Sequence, residues 1–155
     1  MAVTTAFPHS AKLDAMSGAV DFGAFTYKVA LIKVTPTGTY DATSTNYSNI
    51  TGNTDEATAT TGYTAGGATL TIAATFPKLV NTDTAVVDFD PDTVWTVTGT
   101  LASDGCMIYT TEAVIGTANR AMSVHAFGGS PSATEGTFTI QWPTGDQITG
   151  IIRFA

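Results

Sequence analysis

The stretch FTYKVALIKV (25–34) alternates strictly, with Phe25, Tyr27, Val29 and Leu31 on one side of an extended chain and Thr26, Lys28 and Ala30 on the other. A period of two marks a half-buried β-strand, because successive side chains of a strand point to opposite faces. At the end of this run Ile32 and Val34 are apolar on the second side, so that tip is expected to be covered on both faces. Further strands are predicted at 56–62, 68–76, 84–89, 94–101, 105–111, 121–127, 136–142 and 149–154, separated by clusters of Gly, Pro, Asn and Asp. Such spacing suits a sandwich or a barrel. Thr makes up about a fifth of the chain and, with Val, Ile, Phe and Tyr, favours pleated sheet, whereas helix formers are scarce. The expected fold class is therefore all-β: a jelly-roll-like β-sandwich of about eight or nine strands with one short N-terminal helix.

That helix is placed at SAKLDAMSG (10–18), with Ser10 as N-cap, Leu13 and Met16 three apart on one face and Gly18 as the stop. With 155 residues and 43% hydrophobic content the chain matches a single domain over 1–155, long enough to bury roughly two-thirds of the surface its unfolded form exposes. Two segments stand outside the strand pattern. Residues 1–9, MAVTTAFPH, carry Val3 and Phe7 ahead of Pro8 without a period, and are expected to form a poorly ordered arm. Extended, such an arm reaches roughly 30 Å, far enough to cross onto a neighbouring subunit. Residues 35–55, rich in Thr, Ser and Asn, read as a long surface loop with one turn of helix near Tyr47 to Ile50.

Thirteen Asp and Glu against six Lys and Arg give a net charge of -7. That field repels phosphate backbones, so nucleic acid is not an expected partner. The N-terminal residues lack a basic segment followed by an apolar one, and no apolar run approaches the roughly 20 residues of a membrane span, so a membrane is not expected as a partner either. Cys106, the single cysteine, cannot form a disulfide within the chain, which fits assembly in a reducing cytoplasm.

Motifs that could carry chemistry are incomplete. Gly66 and Gly67 resemble a phosphate-binding pair only superficially, because ATLTIAATF after them alternates like a strand where a helix N-terminus is needed. A hairpin in which one of the two takes a positive φ is the better reading. Asp88, Asp90 and Asp92 are spaced as in a calcium loop, yet the sixth position is Thr93 and the twelfth Gly99 where Gly and a bidentate Glu belong. A solvated turn is expected there. His9, His125 and Cys106 are too few for a structural zinc site, and His125 reads as a satisfied strand residue. No G-x-S-x-G elbow is present. Cys106 sits among apolar strand residues as a buried thiol, and the neighbours Asp55 and Glu56 would point to opposite sides of a strand. Neither an enzyme nor a cofactor nor a metal is expected. Trp95, Trp142, Tyr63 and Tyr109 are read as core residues, the alternative being a stacking platform for sugar rings.

Three segments taken together, TGYTAGGATL (61–70), FDPDTVWTVTGTLASDGCMIYT (89–110) and AFGGSPSATEGTFTIQWPTGDQITGIIRF (126–154), with YKVALIKV (27–34) ahead of them, resemble small virion structural proteins of tailed bacteriophages. The Thr-rich segment 51–61 and the uncharged strand around Met107 depart from that pattern. The resemblance implies a β-rich decoration or cement protein bound to the major capsid protein on the outer capsid surface, assembled in the host cytoplasm. Closed symmetry suggests a homotrimer. A tail or adsorption-fibre component and a carbohydrate-binding β-sandwich module are the alternatives. The residues expected at the interface are Val3, Phe7 and Pro8 of the arm, with Tyr40 and Tyr47 of the long loop.

Overall fold

In the computed structural model, which describes residues 2–58, 62–146 and 148–154, the alternating stretch near residue 30 becomes a central strand. The elements run in the order α1 (His9–Met16), β1 (Tyr27–Ile32), α2 (Ser48–Gly52), β2 (Ala68–Leu70), β3 (Lys78–Val80), β4 (Thr84–Val87), β5 (Thr93–Ala102), β6 (Gly105–Thr110), β7 (Ala121–Ala126), β8 (Ser132–Ile140) and β9 (Ile152–Phe154). All ladders between these strands are antiparallel. They form a four-stranded sheet in the order β2-β1-β6-β7, a three-stranded sheet β3-β4-β9 and a two-stranded sheet β5-β8. The fold is the all-β, sandwich-like one that the alternation predicts.

Strand β1 is buried on both faces, and so are its neighbours β6 and most of β7. One face carries Tyr27, Val29, Leu31, Cys106 and Ile108, and packs on Val87 and Ile152 of β4 and β9 and on Trp95, Val97, Leu101, Phe138 and Ile140 of β5 and β8. The opposite face, with Ala30, Ile32, Met107, Tyr109 and Val124, packs on Val3, Tyr40 and Ile50. The second face is thus covered by irregular chain, which needs side-chain hydrogen bonds where a strand would use ladder bonds. Asn49 supplies several of them, its Oδ1 accepting from the Thr45 and Asn46 N–H groups at 2.8 and 3.1 Å.

Several sequence expectations are corrected. The strand expected at 68–76 stops at Leu70 and the one at 149–154 starts at Ile152, while β3 was not anticipated. In place of a strand at 56–62, Glu56 makes one bridging pair with Ile32, and residues 59–61 lie outside the described ones. Helix α1 starts one residue before Ser10, with Pro8 as its cap residue. Its buried face is Ala11 and Asp14, whereas Leu13 and Met16 are 64% and 86% exposed. The reason is electrostatic: Asp14 reaches Arg120 at 2.7 Å, a close ion pair not aligned for a linear hydrogen bond, and this contact turns the polar face of α1 inward.

The segment around Gly66 and Gly67 is a turn rather than a hairpin between two described strands. The Gly67 N–H donates to Thr64 O at 2.9 Å, and both glycines have positive φ, +89° and +68°. Gly67 is there for space as well as for conformation, because a Cβ on it would lie 1.8 Å from Val29 O of β1.

Candidate functional site

The five residues expected at an interface are mostly spent on the protein's own core. Val3 pairs with Tyr40 in a short parallel bridge, and both are buried. Thr4 N–H donates to Tyr40 O (2.8 Å), Tyr40 N–H donates to Ala2 O (2.7 Å), and Ala6 exchanges both backbone bonds with Val124 at the edge of β7 (2.9 Å each). Pro8 is buried as well, and Phe7 is half-buried with its ring edge-on to Phe154 at 5.1 Å. The free arm expected at 1–9 is therefore a docked segment over its described part, held because it covers the apolar second face and pairs an otherwise open strand edge.

The segment 35–55 is likewise folded onto the body. Its anchor is Asp55, which is 0% exposed. Its carboxylate accepts from the Tyr40 hydroxyl (2.7 Å), the Gly38 N–H (2.7 Å) and the Thr37 N–H (3.0 Å), and pairs with the Lys33 ammonium at 2.9 Å. Burial alone would raise the pKa of this carboxyl. The hydroxyl, the two amides and the ammonium outweigh burial and hold it below the usual carboxylate range. Glu56, the next residue, engages different partners. It accepts from the Tyr47 hydroxyl, the Tyr63 hydroxyl (2.9 Å) and the Gly66 N–H (2.7 Å), while Tyr47 stacks on Tyr109 with ring centroids 4.6 Å apart. Tyr47 thus belongs to an internal network, and the two neighbouring carboxylates share no site.

On the other side of β6 and β7, Cys106 stands directly opposite His125, and His125 Nε2 lies 2.8 Å from Ser123 Oγ. His125 is part-exposed and lines an opening with Thr5, Cys106 and Trp142, and the burial it does have pulls its pKa down to about 4. Burial also pushes the Cys106 thiol up to about 12. A thiol that stays protonated at neutral pH is a poor nucleophile, so this trio packs the core and anchors a strand.

The acidic run at 88–92 is not a plain solvated turn. Asp88 is 4% exposed and its Oδ1 has no hydrogen-bond partner. With Asp90, Asp92, Phe76, Phe89 and Trp142 it lines a cavity of about 350 Å³. Asp92 Oδ1 accepts from the Trp142 N–H (3.0 Å), and the indole Nε1–H donates to Thr93 Oγ1 (3.1 Å), so the indole is tied down by its edge. Of the four aromatics weighed as a sugar platform, Trp95, Tyr63 and Tyr109 are core residues; Trp142 alone is half-buried beside an opening. The sequence signalled the carboxylates, but the burial of Asp88 comes from the fold, where Gly145 packs close to both Asp88 and Phe76. Among the described residues no group of three or more His, Cys, Asp or Glu is arranged to hold a metal ion, and no described helix is long and apolar enough to cross a membrane. No family model, curated protein or solved structure matches the chain.

Proposed function

We propose that the protein is a structural component of a bacteriophage virion, a decoration or cement protein that binds the major capsid protein on the outer shell and stabilises it, acting as a homotrimer. The observation that carries this reading, beside the sequence resemblance, is where the apolar side chains outside the core stand. Val3, Pro8 and Tyr40 are buried and Phe7 is half-buried, whereas Leu13 and Met16 project together from one side of α1 into solvent, with Leu79, Val94, Ile115 and Ile148 exposed elsewhere. A protein that works by burying surface across neighbouring subunits needs such contacts on a firmly built body. The acidic charge suits a site outside the shell, away from packaged nucleic acid.

The principal contacts are accordingly assigned to the Leu13 and Met16 face of α1 rather than to Val3, Phe7, Pro8, Tyr40 and Tyr47. The test is occupancy on undecorated particles measured by cryo-EM, with the wild-type chain and with the Leu13→Ser, Met16→Ser double variant. Density on the shell that the double variant loses supports the reading. Density on the tail or fibres would move the protein there, and density on no part of the particle would overturn the virion assignment.

A further inference from the structure

The cavity beside Trp142 has a composition that neither a packed core nor a solvated turn requires. Its walls are three aromatic rings, Phe76, Phe89 and Trp142, and three carboxylates, Asp88, Asp90 and Asp92. Among the described residues lining it there is no Lys, Arg or His. The Phe89 and Trp142 rings lie 5.9 Å apart and inclined at 59°, and Phe89 is itself wedged edge-on against Tyr27 at 5.6 Å. With the Trp142 backbone N–H held by Asp92 and the indole Nε1–H by Thr93, the aromatic wall is fixed before any ligand arrives.

Asp88 shows which kind of ligand suits these walls. A buried carboxylate oxygen without a donor is a costly arrangement, and one that persists calls for an explanation, a donor from outside the chain among them. The missing partner is a donor, and because Asp90 and Asp146 act on Asp88 against the one nearby ammonium, that of Lys78, a cationic donor is the favoured one. Aromatic faces add to that preference, since their quadrupole attracts a cation placed above the ring. Phe76 already shows the effect: the chain's own Lys78 ammonium sits 4.2 Å from its centroid. A divalent metal fits less well, because the carboxylates do not converge into a ligand set. An anionic sugar or phosphate would meet repulsion.

We propose that this cavity is a binding site for an organic cation, the guanidinium or ammonium end of a basic side chain, with Asp88 as its principal hydrogen-bond acceptor, Trp142 as its aromatic wall and Asp90 as a peripheral charge, beside the Phe76 ring that Lys78 already covers. The volume, about 350 Å³, accommodates a side chain of that size and lies within the range of small-ligand pockets. The inference does not rest on the virion reading, since the site is defined by its own walls. The cation can come from a partner protein or from a free amine, and the two sources are separable.

The experiment titrates the purified protein with Nα-acetyl-argininamide and Nα-acetyl-lysinamide, with neutral Nα-acetyl-citrullinamide as control, following backbone amide and indole N–H shifts by NMR. The expected result is saturable shifts confined to residues 73–76, 88–92 and 142–145 with the cations and none with the control. Asp88→Asn should weaken binding at least about tenfold, the loss expected of a charge-assisted bond. If that variant does not fold, Asp90→Asn, which alters only an exposed carboxylate, should weaken it about two- to threefold. Absence of saturation with the cations, an equal response to citrullinamide, shifts produced by calcium chloride in place of the cations, or binding that ignores both substitutions would each overturn the site. If Asp88→Asn loses the free cation and also lowers occupancy on particles, a basic side chain of the shell is the occupant. If it loses the free cation alone, the ligand is a small amine.

Discussion

Two buried aspartates show how neighbours decide the sign of a charge's effect. Asp55, surrounded by donors, has its pKa depressed on folding, so its contribution is present above the ordinary value of about 3.9 and fades as pH falls towards the depressed one. Asp55→Ala, which orphans the Thr37 and Gly38 amides and leaves the Tyr40 hydroxyl with only the longer bond to Asn49 O, should cost about 3 kcal/mol at pH 7 in urea titration, the penalty shrinking as the medium is acidified. Asp88 behaves in the opposite sense. Burial, with Asp90 and Asp146 adding to it, raises its pKa against weaker opposition from the Phe89 amide and Lys78. A raised carboxyl favours folding only while protonated, so that contribution is whole below about pH 3.9 and is lost as pH climbs through the raised value. Asp88→Asn should therefore raise the melting temperature at pH 7, by an amount equivalent to about 1 kcal/mol, and leave it nearly unchanged at pH 3. A stabilising substitution at a cavity wall is what a residue retained for binding would show. His125 adds a third signature. Its pKa, lowered to about 4, means that stability drawn from the neutral ring is lost between about pH 6.5 and pH 4, and His125→Gln should flatten the melting profile across that window.

At the scale of elements, how much could be read beforehand follows from how far each signal reaches. The alternation of β1 and of β5 was legible because every second side chain meets the same apolar layer. Strand β3 escaped because three residues are too few to show a period, and its outer residue Leu79 is exposed. The exposure of the Leu13 and Met16 face of α1 was not legible because both are apolar and the partner of the opposite face, Arg120, lies far along the chain. The same holds for the candidate cavity: the three carboxylates were visible, whereas the approach of Phe76, Gly145 and Trp142 to them is set by tertiary packing. The turn before β2 offers a direct contrast between neighbouring glycines. Gly67→Ala must fit a methyl group against the backbone of β1 in a left-handed conformation and should cost at least about 2 kcal/mol, measured as the shift in urea midpoint. Gly66→Ala meets only the ends of the Lys28 and Tyr109 side chains, at 3.3 and 3.5 Å, so its cost should be confined to the conformational term of about 1–2 kcal/mol.

For the molecule as a whole, the apolar positions left outside matter as much as the core. Leu13→Ser with Met16→Ser should change stability by less than about 0.5 kcal/mol, because both side chains already stand in water. The same pair should reduce particle occupancy, and sedimentation of the purified chain would report whether it also disrupts a trimer. Removal of residues 2–8 should act differently. It strips Val3 from the second face and exposes the edge of β7, costing roughly 2 kcal/mol or more in a thermal melt and making the truncated chain prone to associate through that edge.

The docking of residues 3–6 also sets an order of events in folding. Val3 pairs with Tyr40, but Ala6 pairs with Val124, far along the chain. Contacts so distant in sequence form late and slowly. Until β7 is in place the edge of β6 stays unpaired and Ala6 has no strand to pair with, so a partly folded chain would offer that edge to other chains. Loss of residues 127–155 leaves β7 intact but removes both β8 and β9, so truncation on either side of β7 should yield two distinguishable products, one sticky through the open β6 edge and one through the uncovered first face.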